Sequence, residues 1–124
     1  MIGKISPLQP QSHKNQIINK SRNTLLSNDA KVISSFIGKL LGLLNPKNPR
    51  SLILQTRFGI HTFGLKQEID ILILDKDSKV VKIKHNLKPN RLFFWNPKYD
   101  CVIELPIGTL GRAKVRLGNE IIVK

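Results

Sequence analysis

The amino-acid sequence predicts a small α+β domain, with one amphipathic helix set among six or seven strands. Three observations carry that prediction. Apolar residues recur at three-and-four spacing most clearly at Ile33, Phe36, Ile37, Leu40, Leu41 and Leu44, which lines one face of a helix. Beyond Pro46 the pattern changes to short apolar runs punctuated by Gly, Asn, Asp and Pro, which is the pattern of strands and turns. The chain has 124 residues, 40% of them apolar, enough to bury one core and too many for a disordered chain.

Each element follows from its own residues. Residues 1–15 are polar, basic and free of acids, and are expected to form a flexible tail ahead of a single domain over 16–124. Residues 17–18 and 24–26 are short strand candidates around a turn-like 19–23. The predicted helix spans 33–44, with Ser34 or Ser35 able to cap its start. Pro46 ends it because proline cannot extend the hydrogen-bond ladder. Gly42 inside it costs about 1 kcal/mol relative to Ala.

Residues 46–50 form a linker, followed by predicted strands at 51–55 and 60–63, with Gly59 and Gly64 as bends or bulges. The run 69–74 is apolar everywhere except Asp70, so both of its faces are expected to be covered. Residues 75–78 make a hairpin turn. Strand 79–85 then returns with Val81, Ile83 and His85 facing the core and Lys82 and Lys84 facing away. A strand at 100–105, a helical turn at 108–114 and a closing strand at 120–123 complete the chain.

Charge is the strongest compositional signal: 21 basic residues against 8 acidic give +13. Such an excess favours a nucleic acid or an acidic protein partner through counterion release and long-range attraction. The competing reading is a solvated, lysine-rich surface, since the lysines are spread along the whole chain. A single cysteine, Cys101, excludes an internal disulfide framework and any zinc site built on paired thiolates, and its apolar strand marks it as a small buried hydrophobe. No run resembles a signal peptide or a transmembrane span, and a cytoplasmic location is expected.

Three stretches taken together carry a family resemblance. They are Ser35-Phe36-Ile37-Gly38-Lys39-Leu40-Leu41-Gly42-Leu43-Leu44, then Ile60-His61-Thr62-Phe63-Gly64-Leu65 leading into Ile69-Asp70-Ile71-Leu72-Ile73-Leu74-Asp75, and lastly Val102-Ile103-Glu104-Leu105-Pro106-Ile107-Gly108-Thr109. In this order, from about residue 20 to Lys124, the chain resembles the domain of unknown function 192 family, the uncharacterised ACR family of prokaryotes. The resemblance implies a barrel-like mixed sheet with one packed helix, and it implies no activity. Lys66-Gln67-Glu68 departs from the family pattern, which has a basic residue and then Pro before Ile-Asp.

Two groups of residues could carry function. His61, Asp70 and Glu104 are polar residues in apolar strands; an ionised carboxylate out of water demands partners. Joined in one pocket they would make a metal site or a general acid/base pair. Held apart, each would bond backbone amides or a cation such as Lys39, Arg57 or Arg91, and this second reading is favoured because no second His stands at ligand spacing. His13 lies in the tail. The second group is Arg91, Phe93, Phe94, Trp95, Lys98 and Tyr99, where rings interleaved with cations could stack on unpaired bases or anchor a protein partner. The other reading, a loop folded back to cap the open end of a small barrel with its rings buried, is favoured because the domain is short of large residues elsewhere.

Neither a phosphate-binding glycine loop nor a nucleophile elbow occurs in the sequence. The expectation is therefore a non-enzymatic accessory or binding protein with no cofactor and no metal. The alternatives are a basic RNA- or DNA-binding module, and an enzyme centred on His61, Asp70 and Glu104.

Overall fold

The computed structural model describes residues 15–33 and 51–124. Among the described residues nine strands and one short helix run in the order β1 (Asn15–Asn19), β2 (Thr24–Ile33), β3 (Leu52–Gln55), β4 (Gly59–His61), β5 (Ile69–Leu74), β6 (Val80–Leu87), β7 (Leu92–Phe94), β8 (Cys101–Pro106), α1 (Thr109–Arg112) and β9 (Ile121–Val123). Seven strands form one mixed sheet in the order β6-β5-β8-β3-β2-β1-β9, and β4 pairs with β7 in a separate two-stranded ribbon. Within the large sheet β2 and β3 are parallel and the other pairs antiparallel.

The two edges of that sheet approach each other. Val80 N–H donates to the Asn119 carbonyl at 2.9 Å, Gly118 N–H donates to the Val80 carbonyl at 2.8 Å, and Ile121 N–H donates to the Ser78 carbonyl at 2.9 Å. These bonds bring the start of β6 against the start of β9 and curl the sheet into a barrel-like form. Most of the helix predicted over 33–44 lies outside the described residues. Its first residue, Ile33, is a strand residue that ends β2. Among the described residues the helical element is the single turn α1, which sends Leu110 into the core, with Ala113 just beyond it.

Side-chain alternation divides the core in two. Leu72 and Leu74 of β5 point into one cluster, which also holds Ile17, Ile103, Leu105 and Leu110. Ile71 and Ile73 point into the other, with Leu52, Leu54, Val102 and Trp95. Strand β5 is thus covered on both sides, as its run of residues apolar everywhere except Asp70 predicts.

Two expectations need correction. Strand β2 runs well past Leu26, because the polar residues Ser27 to Asp29 sit in an irregularity of the β1–β2 pairing instead of ending the strand. There Asn15 lies opposite Ala30 and Ile17 opposite Ser27, and the Asp29 N–H donates to Ser27 Oγ at 3.2 Å. The predicted single face of Val81, Ile83 and His85 is also broken. Val81 has no partner opposite it, since Ile73 pairs with Lys82 and Leu74 with Val80. This bulge sends Val81 to the second cluster and Ile83 to the first. A second bulge sets His85 and Asn86 together opposite Asp70, which leaves His85 exposed.

Candidate functional site

Asp70 is fully buried on β5, at 0% exposure. Its Oδ1 accepts the Asn86 N–H at 3.1 Å and its Oδ2 accepts the Leu110 N–H at 3.0 Å. Asn86 has φ 55, the left-handed conformation that the bulge in β6 requires. One carboxylate therefore holds that bulge and anchors the start of α1 through charge-assisted bonds.

Glu104 is buried on β8 at 4% exposure. Residues directly opposite in antiparallel strands share a face, and β8 places Glu104 opposite Ile71 and Leu52 while Leu105 stands opposite Asp70. Asp70 thus shares the side of the first cluster and Glu104 that of the second. The strand register therefore sets the two carboxylates on opposite faces of the sheet. His61 lies apart from the large sheet, on β4, where it pairs with Leu92 and stacks on Phe63 at 5.0 Å between ring centroids. Among the described residues no group of three His, Cys, Asp or Glu could hold a metal ion.

Of the cations expected beside these acids, Arg57 bonds Asp100 at 3.6 Å and the Pro97 carbonyl at 2.7 Å. Arg91 Nη1 donates to the Asn90 carbonyl at 3.4 Å, and Lys39 lies outside the described residues. Burial, reinforced by the charge of Asp100, pushes the Cys101 thiol up to about 12, which denies it the thiolate that nucleophilic chemistry needs.

The aromatic segment forms a distinct surface. Residues 92–94, expected as part of a loop or patch, are strand β7, with Gly59 opposite Phe94, Ile60 opposite Phe93 and His61 opposite Leu92. The inner face of the ribbon carries Ile60, buried, and Phe93, half-buried against the second cluster. Its outer face carries Leu92 and Phe94, 58% and 60% exposed. Phe58 and Phe63, at the two ends of β4, are 64% and 51% exposed.

Gly59 is glycine for a steric reason. A Cβ there would meet the Phe93 carbonyl oxygen and Phe94 Cδ1, each at 2.7 Å, so the Phe94 ring lies across the bare backbone.

Trp95, one of the candidate contact residues, is buried at 6% exposure, as the barrel-capping reading expects of its ring. Its indole N–H donates to the Tyr99 carbonyl at 2.8 Å and its backbone N–H to the Phe58 carbonyl at 2.9 Å. Indole and ribbon bury together because the ring completes the second cluster while its polar atom finds a carbonyl. Tyr99 is half-buried against the same cluster, and Lys98 stands 5.7 Å over its ring. Lys82 of β6 reaches the ribbon from the other side, donating to the Phe94 carbonyl at 3.1 Å with its ammonium 5.1 Å from the Phe93 ring centroid.

Sequence reasoning passed over Thr62, which is fully buried and organises the approach to β7. Its hydroxyl donates to the Lys88 carbonyl at 2.7 Å and accepts the Arg91 N–H at 2.9 Å. Thr62 stands inside the predicted strand 60–63 and inside the family-like Ile60-His61-Thr62-Phe63 stretch, and neither signal marks its hydroxyl as a hydrogen-bonding centre.

Comparison with known proteins agrees with this architecture. The sequence family DUF192, described as Uncharacterized ACR, matches residues 17–123. A UPF0127 protein of Pyrococcus horikoshii is 32% identical over 111 residues, covering 85% of this chain and 96% of the relative. A UPF0127 protein of Thermococcus sibiricus is 29% identical over 112 residues, covering 85% of this chain and 72% of the relative. Among solved structures, a protein of unknown function from Novosphingobium aromaticivorans superposes with a TM-score of 0.71 at 14% identity, over 91% of this chain and 89% of that one. No helix among the described residues is long and apolar enough to cross a membrane.

Proposed function

Because the chain belongs to the DUF192 family, an uncharacterised family that brings no activity with it, we propose its function from its surface: a non-enzymatic binding domain that meets its partner on the outer face of the β4–β7 ribbon. One observation carries this reading. Four large apolar side chains, Phe58, Phe63, Leu92 and Phe94, stand more than half in solvent on or beside a single short ribbon. Large exposed apolar side chains gathered on one small element point to an interaction site. A second support is that the candidate acids lie on opposite faces of the sheet, Asp70 bound to two backbone amides on the side of the first cluster and Glu104 on the side of the second.

A photo-crosslinking amino acid placed at position 92, compared with one at the exposed turn residue Lys76, tests the reading. Incubated in cytosol of the native host, the position-92 protein is expected to form discrete crosslinked species that the position-76 protein does not. Equal labelling from both positions, or none from either, would discard the ribbon as a contact surface. Turnover of an ester, phosphate or sugar substrate that His61→Ala abolishes would discard the non-enzymatic reading.

A further inference from the structure

Resting on the ribbon as the contact surface, we infer that its partner is a single-stranded nucleic acid, whose bases stack on Phe94 and Phe63 while lysines and arginine of the β6–β7 region hold its phosphates. The charge distribution is the first ground. Residues 78–99 build β6, β7 and the turn between them, and contain Lys79, Lys82, Lys84, Lys88, Arg91 and Lys98 without one acid. All the acids of the chain lie among the described residues, at 29, 68, 70, 75, 77, 100, 104 and 120. Among the described residues the ion pairs are Arg57 with Asp100 and Lys79 with Glu120, and neither involves the other five cations of that stretch. Residues 1–14 and 34–50 contribute no carboxylate that could neutralise them. Cations thus outnumber acids in the stretch that builds and flanks the ribbon, and this excess complements a polyanion.

The second ground is the form of the apolar groups. Three of the four exposed side chains are flat rings, and the ring of His61 already lies nearly parallel to Phe63, with 23° between the planes. Every base offers a π-face to such a platform. Leu92 and Phe94 share one face at the two-residue spacing of a strand, about 7 Å, so a strand laid along β7 meets successive apolar supports.

The third ground is backbone strain. Phe58 has φ 73, a conformation that a bulky residue adopts at a cost, and it is held there with its side chain mostly in solvent. An acidic peptide would satisfy the charge and leave the flat rings without a matching surface. A closed duplex would satisfy the charge and hide its bases from the rings. Single strands satisfy both.

Fluorescence anisotropy with a labelled 12-nucleotide single strand of mixed sequence, as DNA and as RNA, against the same sequence as a duplex tests this in the full chain. Single strands are expected to bind more tightly than the duplex. Their affinity should fall about 20- to 50-fold between 50 and 200 mM salt if three or four phosphates are held. Phe94→Ala, which leaves the charge unchanged, is expected to weaken binding about ten- to hundred-fold with the salt slope unaltered. Arg91→Gln and Lys84→Gln should each flatten the salt slope. Phe63→Ala serves as a second ring variant, and thermal melting verifies that each variant is folded. Equal binding of duplex and single strand, or full binding by folded Phe94→Ala and Phe63→Ala, overturns the inference. If no oligonucleotide binds while position 92 still crosslinks to a protein, the nucleic-acid assignment fails and the ribbon reading stands. If neither occurs, both fail.

Discussion

In the barrel, Asp70 is sealed from water with both oxygens on backbone amides, whereas on the ribbon Phe58 and Phe94 stand mostly in water. The barrel satisfies a charge in its interior, and the ribbon leaves apolar surface uncovered. An isolated two-stranded ribbon is marginal in water and needs packing on one face. Here Ile60, Phe93 and Trp95 supply that packing against the second cluster. The inner face therefore accounts for the ribbon's packing, while the outer face carries Leu92 and Phe94 mostly in solvent. Half-buried and exposed rings are separated by one residue of strand register.

The largest expected effect tests whether the inner face carries the ribbon. Trp95→Ala removes a buried ring and the hydrogen bond to Tyr99, and should cost about 3–5 kcal/mol in urea unfolding. The loss should be concentrated: amide exchange at 59–61 and 92–94 is expected to speed up more than exchange along β5. Uniform acceleration would mean that ribbon and barrel open as one unit, and the comparison would lose its basis.

Asp70→Ala is the corresponding change in the barrel. It strands two N–H groups that a carboxylate now satisfies, at an expected cost of about 3 kcal/mol. Asp70→Asn should recover part of this, since its carbonyl oxygen can accept one of the two bonds. Crosslinking from position 92 should persist in both variants wherever they remain folded. Loss of crosslinking in a folded Asp70→Asn would show that the two regions are coupled.

How far these two regions were legible in the sequence differs for physical reasons. The apolar run over β5 announced a strand covered on both faces, and the turn at 75–78 was written in its Asp and Ser residues. Strand register was not legible. One unpaired residue at Val81 and one extra at the His85–Asn86 bulge reverse which side chains face inward, and neither bulge carries a glycine to mark it. Asp70 could be recognised as a buried acid in need of partners. That those partners are amides 16 and 40 residues away follows only from the fold. The aromatic segment stood out by its composition, which left open whether its rings cap the barrel or face a partner; alternation within a three-residue strand decides which ring is half-buried and which is exposed. Phe93 and Phe94 are chemically identical and have opposite roles.

A smaller effect is expected at Gly59. Gly59→Ala drives a methyl group against the Phe93 carbonyl and the Phe94 ring, and the carbonyl belongs to the paired backbone and cannot swing away. The cost should be about 1–3 kcal/mol, the range for overpacking, and should appear as lost protection in the ribbon with β5 unaffected. Combining it with Phe94→Ala relieves the ring contact and not the carbonyl contact. The double variant should therefore regain only part of the loss.

The smallest effect separates the two faces most directly. Leu92→Ser changes a side chain 58% exposed on the outer face, and stability should move by no more than about 0.5 kcal/mol. Phe93→Ser, one position along, takes a ring out of the second cluster and should cost about 2 kcal/mol or more. Measured side by side in urea, the pair reads strand register as free energy. A large loss in Leu92→Ser would mean that its side chain is covered in solution, and the outer face would then be part of the molecule's own packing. A negligible change in Leu92→Ser, with crosslinking from position 63 abolished, would leave recognition as the one property that the leucine supports.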